Sequence, residues 1–142
     1  MTDINLEKNT LIKVVMETNF ALVTYNPVVK MGKIEWKSKA TSEEYQSAFI
    51  ALMEYSDKQP VLYFLSDITK QSVVSPENRK WFENIMVPMA IGKGLKKAAT
   101  VFDGNVFKKY YVNMIIQATN KMGLPLKIFN SEEDAIKWFL KD

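Results

Sequence analysis

A short, wholly apolar run that leads into a helix start is the feature that most constrains the fold. Residues 61–65, Val-Leu-Tyr-Phe-Leu, lie between Pro60 and a polar segment that begins at Ser66. Five residues are too few for a helix, and an apolar run rich in sheet formers is typical of a strand buried on both faces. Ser75 and Pro76 then form a strong helix-start signal, with serine as N-cap and proline at the first helical position. The stretch therefore predicts a central strand followed by a helix.

Strand-like runs and amphipathic helices alternate along the rest of the chain. Thr41 with Glu44 is a capping-box signature at the start of the first helix, and Ser131 marks the start of the last. Pro88 predicts a kink or a break in the second helix. The third helix is predicted to turn a face with Tyr110, Tyr111 and Met114 inward. Because adjacent residues lie on different helix faces, one member of the Tyr110-Tyr111 doublet is an alternative candidate for exposure. The predicted strands are a hairpin at 20–25 and 33–37, the central run at 61–65, and later strands at 96–102 and 124–129, while 11–16 fits a strand or a helical turn.

This order of elements predicts an α/β fold. We expect a mixed sheet of four to five strands, with an N-terminal antiparallel hairpin and the remaining strands parallel, covered by about four helices. Pro125 favours a place at or near a sheet edge for the last strand. A chain of 142 residues fits one domain with one core. The expected domain is therefore 1–142, with residues 1–10 flexible.

The composition excludes several functional classes. The chain has no Cys and no His, so disulfides, cysteine nucleophiles and the commonest general base and metal ligands are missing. Only Arg79 among the 19 Lys and Arg residues is an arginine, which argues against nucleic-acid recognition. No apolar run is long enough to span a membrane, and the N-terminus lacks signal-peptide features. We therefore expect a cytoplasmic protein without metal or cofactor.

The motifs together resemble the small STAS/SpoIIAA-like domains of bacteria, particularly short single-domain members of Bacteroidetes-type genomes. The resemblance runs from about Phe20 to Leu140. It rests on the order and spacing of a few segments, which are Trp36 at the end of the hairpin, TSEEYQSAF, a strand ending in Asp67, SPENRKWF, GLKKAA and IFNSEEDAIKWFL.

The resemblance implies a regulatory or interaction module with a mixed sheet and helices. In anti-sigma-factor antagonists of the STAS type, a partner kinase phosphorylates a serine at the start of the helix after the central strand. The segment there carries a D-S-S-G-like sequence. The matching region here, 67–75, is longer and lacks that motif. By position, Ser72 or Ser75 is the candidate phosphoacceptor.

Polar residues at the predicted strand ends are the candidate site for a ligand or a partner. Asp67 is either a polar anchor in the crevice at the strand ends or an acceptor for backbone N–H groups of its own loop. Ser75 is a helix cap or an anion site. Three further residues follow the next two strands and either cap the helices or line a pocket with Asp67: Asp103, Asn105 and Asn130.

The sequence therefore predicts a non-enzymatic module that binds a protein partner or forms a homodimer. The alternative is a small-molecule or lipid-binding domain with its pocket at the carboxyl ends of the parallel strands. An enzyme is not expected, because no nucleophile–base pair is recognisable without His or Cys. Long-chain lipid carriage would need a larger apolar cavity than a chain of this size encloses.

Overall fold

The computed structural model describes residues 11–71 and 73–141, so the expectations for residues 1–10 and for Ser72 lie outside the described residues. Within these ranges six strands form one sheet in sequential order. They are β1 (Lys13–Glu17), β2 (Ala21–Asn26), β3 (Met31–Trp36), β4 (Tyr63–Asp67), β5 (Lys97–Val101) and β6 (Leu126–Phe129). β1 to β3 pair antiparallel, and β3 to β6 pair parallel.

The α/β class, the hairpin and the parallel remainder are confirmed. The sheet has more strands than the four to five predicted, because the undecided run 11–16 supplies β1 at one edge. β6 lies at the opposite edge, as Pro125 indicates. The central run forms β4 slightly later than predicted, at Tyr63–Asp67, because it pairs with β3 and β5 on both sides over those residues.

Four helices follow the strands in the described part of the chain, as predicted. They are α1 (Ser42–Ser56), α2 (residues 76–92), α3 (Val106–Lys121) and α4 (Glu132–Phe139). Thr41 and Glu44 form the expected capping box, with each side chain bonded to the other residue's backbone N–H. Ser75 and Ser131 accept hydrogen bonds from Asn78 and Asp134.

Pro88 does not break α2. The helix runs as Pro76–Trp81, a π-helical turn at Phe82–Met86, and Val87–Gly92. Within the π turn, the Val87 N–H donates to the Phe82 carbonyl, five residues back. In an α-helix the proline ring would clash with the carbonyl four residues earlier. The wider turn relieves that conflict and lets the helix continue.

The two faces of the sheet are covered differently. Sequential parallel strands joined by right-handed crossovers place α1, α2 and α3 on one face, and the larger core cluster joins these helices to that face. Successive side chains of β4 point to opposite faces of the sheet. Phe64 therefore packs in the larger core, and Leu65 packs in the smaller core on the other face. The smaller core contains Ala135 and Phe139 of α4.

Among the described residues, α4 covers only part of its face of the sheet. It contacts β4, β5 and β6, whereas a trough over β2 and β3 is bordered by Lys33, Glu35 and Glu132. Lys33 pairs with Glu132 at 2.6 Å and with Glu35 at 3.8 Å. Among the described helices, none is both long and apolar enough to cross a bilayer.

Gly32 provides a test of the contact between α1 and the sheet. A Cβ at Gly32 would lie 2.7 Å from both methyl carbons of Leu52 in α1. Gly32→Ala should lower the free energy of unfolding by about 1–3 kcal/mol, because the packed core must shift. Urea denaturation measures this. Gly92→Ala is the control: nothing lies within 4 Å of that added Cβ, and equal destabilisation by both changes would contradict the packing described.

Candidate functional site

The carboxyl ends of the four parallel strands lie along one edge of the sheet. In register, Glu35 of β3 lies beside Asp67 of β4, Asp67 beside Val101 of β5, and Val101 beside Phe129 of β6. The segments that follow these strands therefore start from a common edge, where open α/β sheets generally bind ligands. The residues predicted from the sequence, Asp67, Asp103 and Asn130, all follow strands at this edge.

Asp67 uses its carboxylate to shape its own loop. Its Oδ1 accepts hydrogen bonds from the Thr69 backbone N–H at 3.1 Å and from the Thr69 hydroxyl at 2.8 Å. The side chain is half-buried. These bonds are the loop-acceptor arrangement that the sequence offered as one of two interpretations.

The other predicted residues lie at helix starts. Asp103 accepts from the Asn105 N–H at 3.0 Å, and the Asn105 carbonyl accepts from Lys108 and from Lys109 in the first turn of α3. Asn130 is exposed and directly precedes the cap of α4. Asp67, Asp103 and Asn130 line none of the cavities described below, and the carboxylates of Asp67 and Asp103 bond within their own loops.

A buried lysine that the sequence reading missed ties the loop after β4 to α3. Lys108 is 4% exposed. Its Nζ donates to the Ile68 carbonyl at 2.6 Å and lies 3.7 Å from the Asp103 carboxylate. A buried charge is tolerated only when it is paired and hydrogen-bonded. Lys108 lies three residues before Tyr111 and therefore on the same helix face. This spacing is the feature of the sequence that could have predicted its burial.

Burial of Lys108 also corrects the predicted inner face of α3. Tyr111 is buried as expected, but Tyr110 is 74% exposed and Met114 is 44% exposed. Val112 and Thr119 take the inward positions instead. The exposure of one tyrosine of the doublet agrees with the alternative prediction, whereas the inward position predicted for Met114 was wrong, because the buried face of α3 includes a lysine and a threonine.

Replacing Lys108 tests its structural role. Lys108→Met keeps most of the buried stem but leaves the Ile68 carbonyl unpaired. We expect a loss of about 2–3 kcal/mol in the free energy of unfolding, because hydrogen bonds to charged groups are among the stronger ones. Urea denaturation measures the loss, and Lys109→Met, at the exposed neighbouring position, should change little. An unchanged free energy of unfolding in Lys108→Met would contradict a stabilising role for the bond between Lys108 and the Ile68 carbonyl.

A polar cavity lies beneath the loop that connects β4 to α2. We call it the Tyr45 cavity; its volume is about 140 Å³, and it is lined by Trp36, Ser38, Lys39, Ala40, Ser42, Tyr45, Gln71, Val73, Val74, Ser75 and Asn78. The rings of Trp36 and Tyr45 stack at 5.2 Å between centroids. The Trp36 Nε1 donates to the Ser66 hydroxyl. Ser75, a predicted site residue, lies on this cavity.

Two buried tyrosines stand near this cavity with raised pKa values. Burial raises the pKa of Tyr45 well above its ordinary value, and the charge of Tyr111 adds to the effect. Burial likewise raises the pKa of Tyr111 to about 12, although the Val74 backbone and Arg79 oppose it. The Tyr111 hydroxyl nevertheless has no partner of good hydrogen-bond geometry among the described residues. Both hydroxyls therefore remain protonated at neutral pH.

The interior between the sheet and α1 to α3 offers little space to an apolar ligand. Two cavities there have volumes of about 40 Å³ and about 50 Å³. Both are bordered by Phe49, Phe64 and Phe82. Both are much smaller than the cavity of about 150 Å³ that binds benzene in another protein, so a long acyl chain would require the core to open.

An apolar groove runs along the outer surface between α1 and α2. We call it the α1–α2 groove; it has a volume of about 310 Å³ and is lined by Ile50, Met53, Glu54, Asp57, Trp81, Ile85, Met86, Met89 and Lys93. Ile50, Ile85 and Met89 are each 46–48% exposed. Clustered exposed apolar side chains mark interaction sites more often than isolated ones do.

The described residues contain no group of three or more acidic residues placed to hold a metal ion. The strand-end carboxylates Asp67 and Asp103 are engaged by Thr69, Asn105 and Lys108.

Comparison with known proteins identifies the fold. No protein-family model and no curated protein sequence matches the chain. A crystal structure of an uncharacterized DUF3478-family protein with a SpoIIAA-like fold, from Shewanella loihica PV-4, is similar with a TM-score of 0.55 and 19% sequence identity. The match covers 87% of this chain and 98% of that chain. The chain therefore has a SpoIIAA-like fold, as the sequence resemblance implied.

Proposed function

We propose that the protein is a single-domain, non-enzymatic, cytoplasmic regulatory module that binds a partner protein through the α1–α2 groove. The observation that carries this proposal is the exposure of Ile50, Ile85 and Met89 along one continuous groove. A groove between two helices, with apolar side chains at its base, is a common receptor for an amphipathic helix. Methionine side chains adapt to the shape of such a ligand.

The charges at one end of the groove favour a basic partner. Glu54 and Asp57 lie at the C-terminal end of α1, where the helix dipole is negative. Lys93 pairs with Asp57 and offsets only part of this charge. A partner helix with an apolar stripe and lysine or arginine beside it complements both features.

The chemistry of the chain supports binding rather than catalysis. No His or Cys is present in the sequence. The carboxylates of Asp67 and Asp103 are already bonded within their own loops. The strand edges also fit poorly for strand addition, because β1 carries an irregular register between Val14 and Met16 and β6 has only four residues. The helical surface is the better candidate for contact.

A phosphorylation switch remains a second proposal for Ser75. Its hydroxyl caps α2, and the residue is exposed on the Tyr45 cavity. A phosphate at a helix N-terminus is favoured by the dipole and by the free N–H groups of the first turn.

Model peptides test the groove directly. Two helical peptides share one apolar stripe, and one carries lysine beside the stripe while the other carries glutamate. Fluorescence anisotropy should show tighter binding of the lysine peptide, with affinity falling as salt rises. Ile85→Glu and Met89→Glu should each weaken binding at least tenfold, because a charge then enters the apolar contact.

Met114→Glu is the matched control, since Met114 is as exposed as these residues but lies on α3. Its binding should equal that of the unchanged protein. Equal loss in all three variants, or no binding of either peptide, would contradict the groove. Light scattering with the same variants shows whether a second copy occupies it instead.

A further inference from the structure

A small apolar pocket adjoins the α1–α2 groove. It is the interior cavity of about 40 Å³. We call it the Ala90 pocket; its lining includes Leu52, Ala90, Leu95 and Leu124. The pocket and the groove share three lining residues, which are Met53, Met86 and Lys93. The two spaces are therefore neighbours, and these shared side chains form the wall between them.

Two methionines make up the apolar part of this wall. Met53 of α1 is 9% exposed and Met86 of α2 is 8% exposed, whereas Ile50, Ile85 and Met89 of the same groove stand at the surface. A methionine side chain has three rotatable bonds and repacks readily around a new neighbour. Rotation of either buried methionine therefore opens the groove into the pocket.

The π turn of α2 lies where the pocket and the groove meet. Phe82 and Met86 are the first and last residues of this turn. Phe82 lines the pocket, Ile85 lines the groove and Met86 lines both. Single π turns inside α-helices are frequent at functional sites. The turn that accommodates Pro88 thus also shapes the contact between the two spaces.

The volume and the lining define the side chain that the pocket accepts. A water-sized atom needs roughly 10–15 Å³ of cavity volume, so about 40 Å³ holds about three heavy atoms. The three terminal carbons of a leucine fit this space, whereas an aromatic ring exceeds it. Apart from Ser56 and Lys93, the described lining residues are apolar, so a polar side chain would lose its hydrogen bonds with water there.

We propose that the partner helix inserts one leucine side chain between Met53 and Met86 into the Ala90 pocket. This inference rests on the proposed function of the α1–α2 groove and names the residue that the partner presents to it. A buried anchor in a close-fitting pocket carries a large share of the binding energy of such complexes. The charges of Glu54 and Asp57 orient the helix, and the leucine provides the specificity.

A leucine-to-alanine scan of the lysine peptide tests the proposal by fluorescence anisotropy. The apolar stripe of the peptide consists of leucines, and each is replaced singly. We expect one replacement to weaken binding about tenfold or more and the others to have smaller effects, since the anchor loses the most buried area. In Ala90→Val the valine fills the pocket, so that same replacement should cost no more than the others. Ala118→Val is the control, because Ala118 is a half-buried residue of α3 that lines neither space.

Leu95→Ala provides a second test, because Leu95 lines the pocket and not the groove. Enlarging the pocket should shift the preferred anchor from leucine to phenylalanine. This test holds even if thermal unfolding shows that Ala90→Val does not fold. Equal cost of every leucine replacement, with no change of preference in Leu95→Ala, would overturn the anchor and leave the groove as a binding site. Failure of the lysine peptide to bind at all would overturn the proposed function and the anchor with it.

Discussion

The sequential order of the strands is the constraint on which the rest of the structure depends. Because β3 to β6 follow one another across the sheet in the same direction, right-handed connections put their helices on one face. Three helices therefore pack side by side, and grooves form between neighbours. Of the described helices, the short α4 lies on the other face, where it covers β4 to β6. The groove that we propose for partner binding lies between α1 and α2, the helices that precede and follow the central strand β4.

The polar residues at the strand ends are largely committed to this arrangement. Asp67 bonds to its own loop, and Lys108 joins that loop to α3 across 40 residues of sequence. Ser75 and Ser131 cap their helices. These polar side chains therefore hold loops and helix starts in place. The Tyr111 hydroxyl, which is buried and has no partner among the described residues, stands out against this background.

Local signals predicted the fold well because they act over a few residues. The capping box at Thr41, the Ser75-Pro76 start and the apolar run before Ser66 each identified an element whose type the structure confirms. Residues 11–16 were predicted as either a strand or a helical turn, because so short a run fits both the strand period and the helix period. α2 continues through Pro88 because a π turn precedes this proline and residues on both sides of it pack into the larger core.

The candidate sites were harder to predict because they depend on distant contacts. Lys108 can be buried because carbonyl groups of the loop after β4 accept its hydrogen bonds. The pattern of residues within α3 contains no information about that distant loop. The Tyr45 cavity joins residues after β3 to residues at the start of α2. The sequence shows Tyr45 as one of several apolar residues on the buried face of α1, and this pattern does not predict a cavity beside it. The exposure of Ile85 likewise depends on how α2 lies against α1.

The central claim is that the helical surface, not the strand-end edge, contacts the partner. Site-specific photo-crosslinking in the native host tests it most directly, with benzoylphenylalanine placed at Ile85 in one variant and at Asp103 in another. Both positions are exposed. The account predicts one discrete protein adduct from position 85 and none from position 103. A discrete adduct from position 103 alone would contradict it.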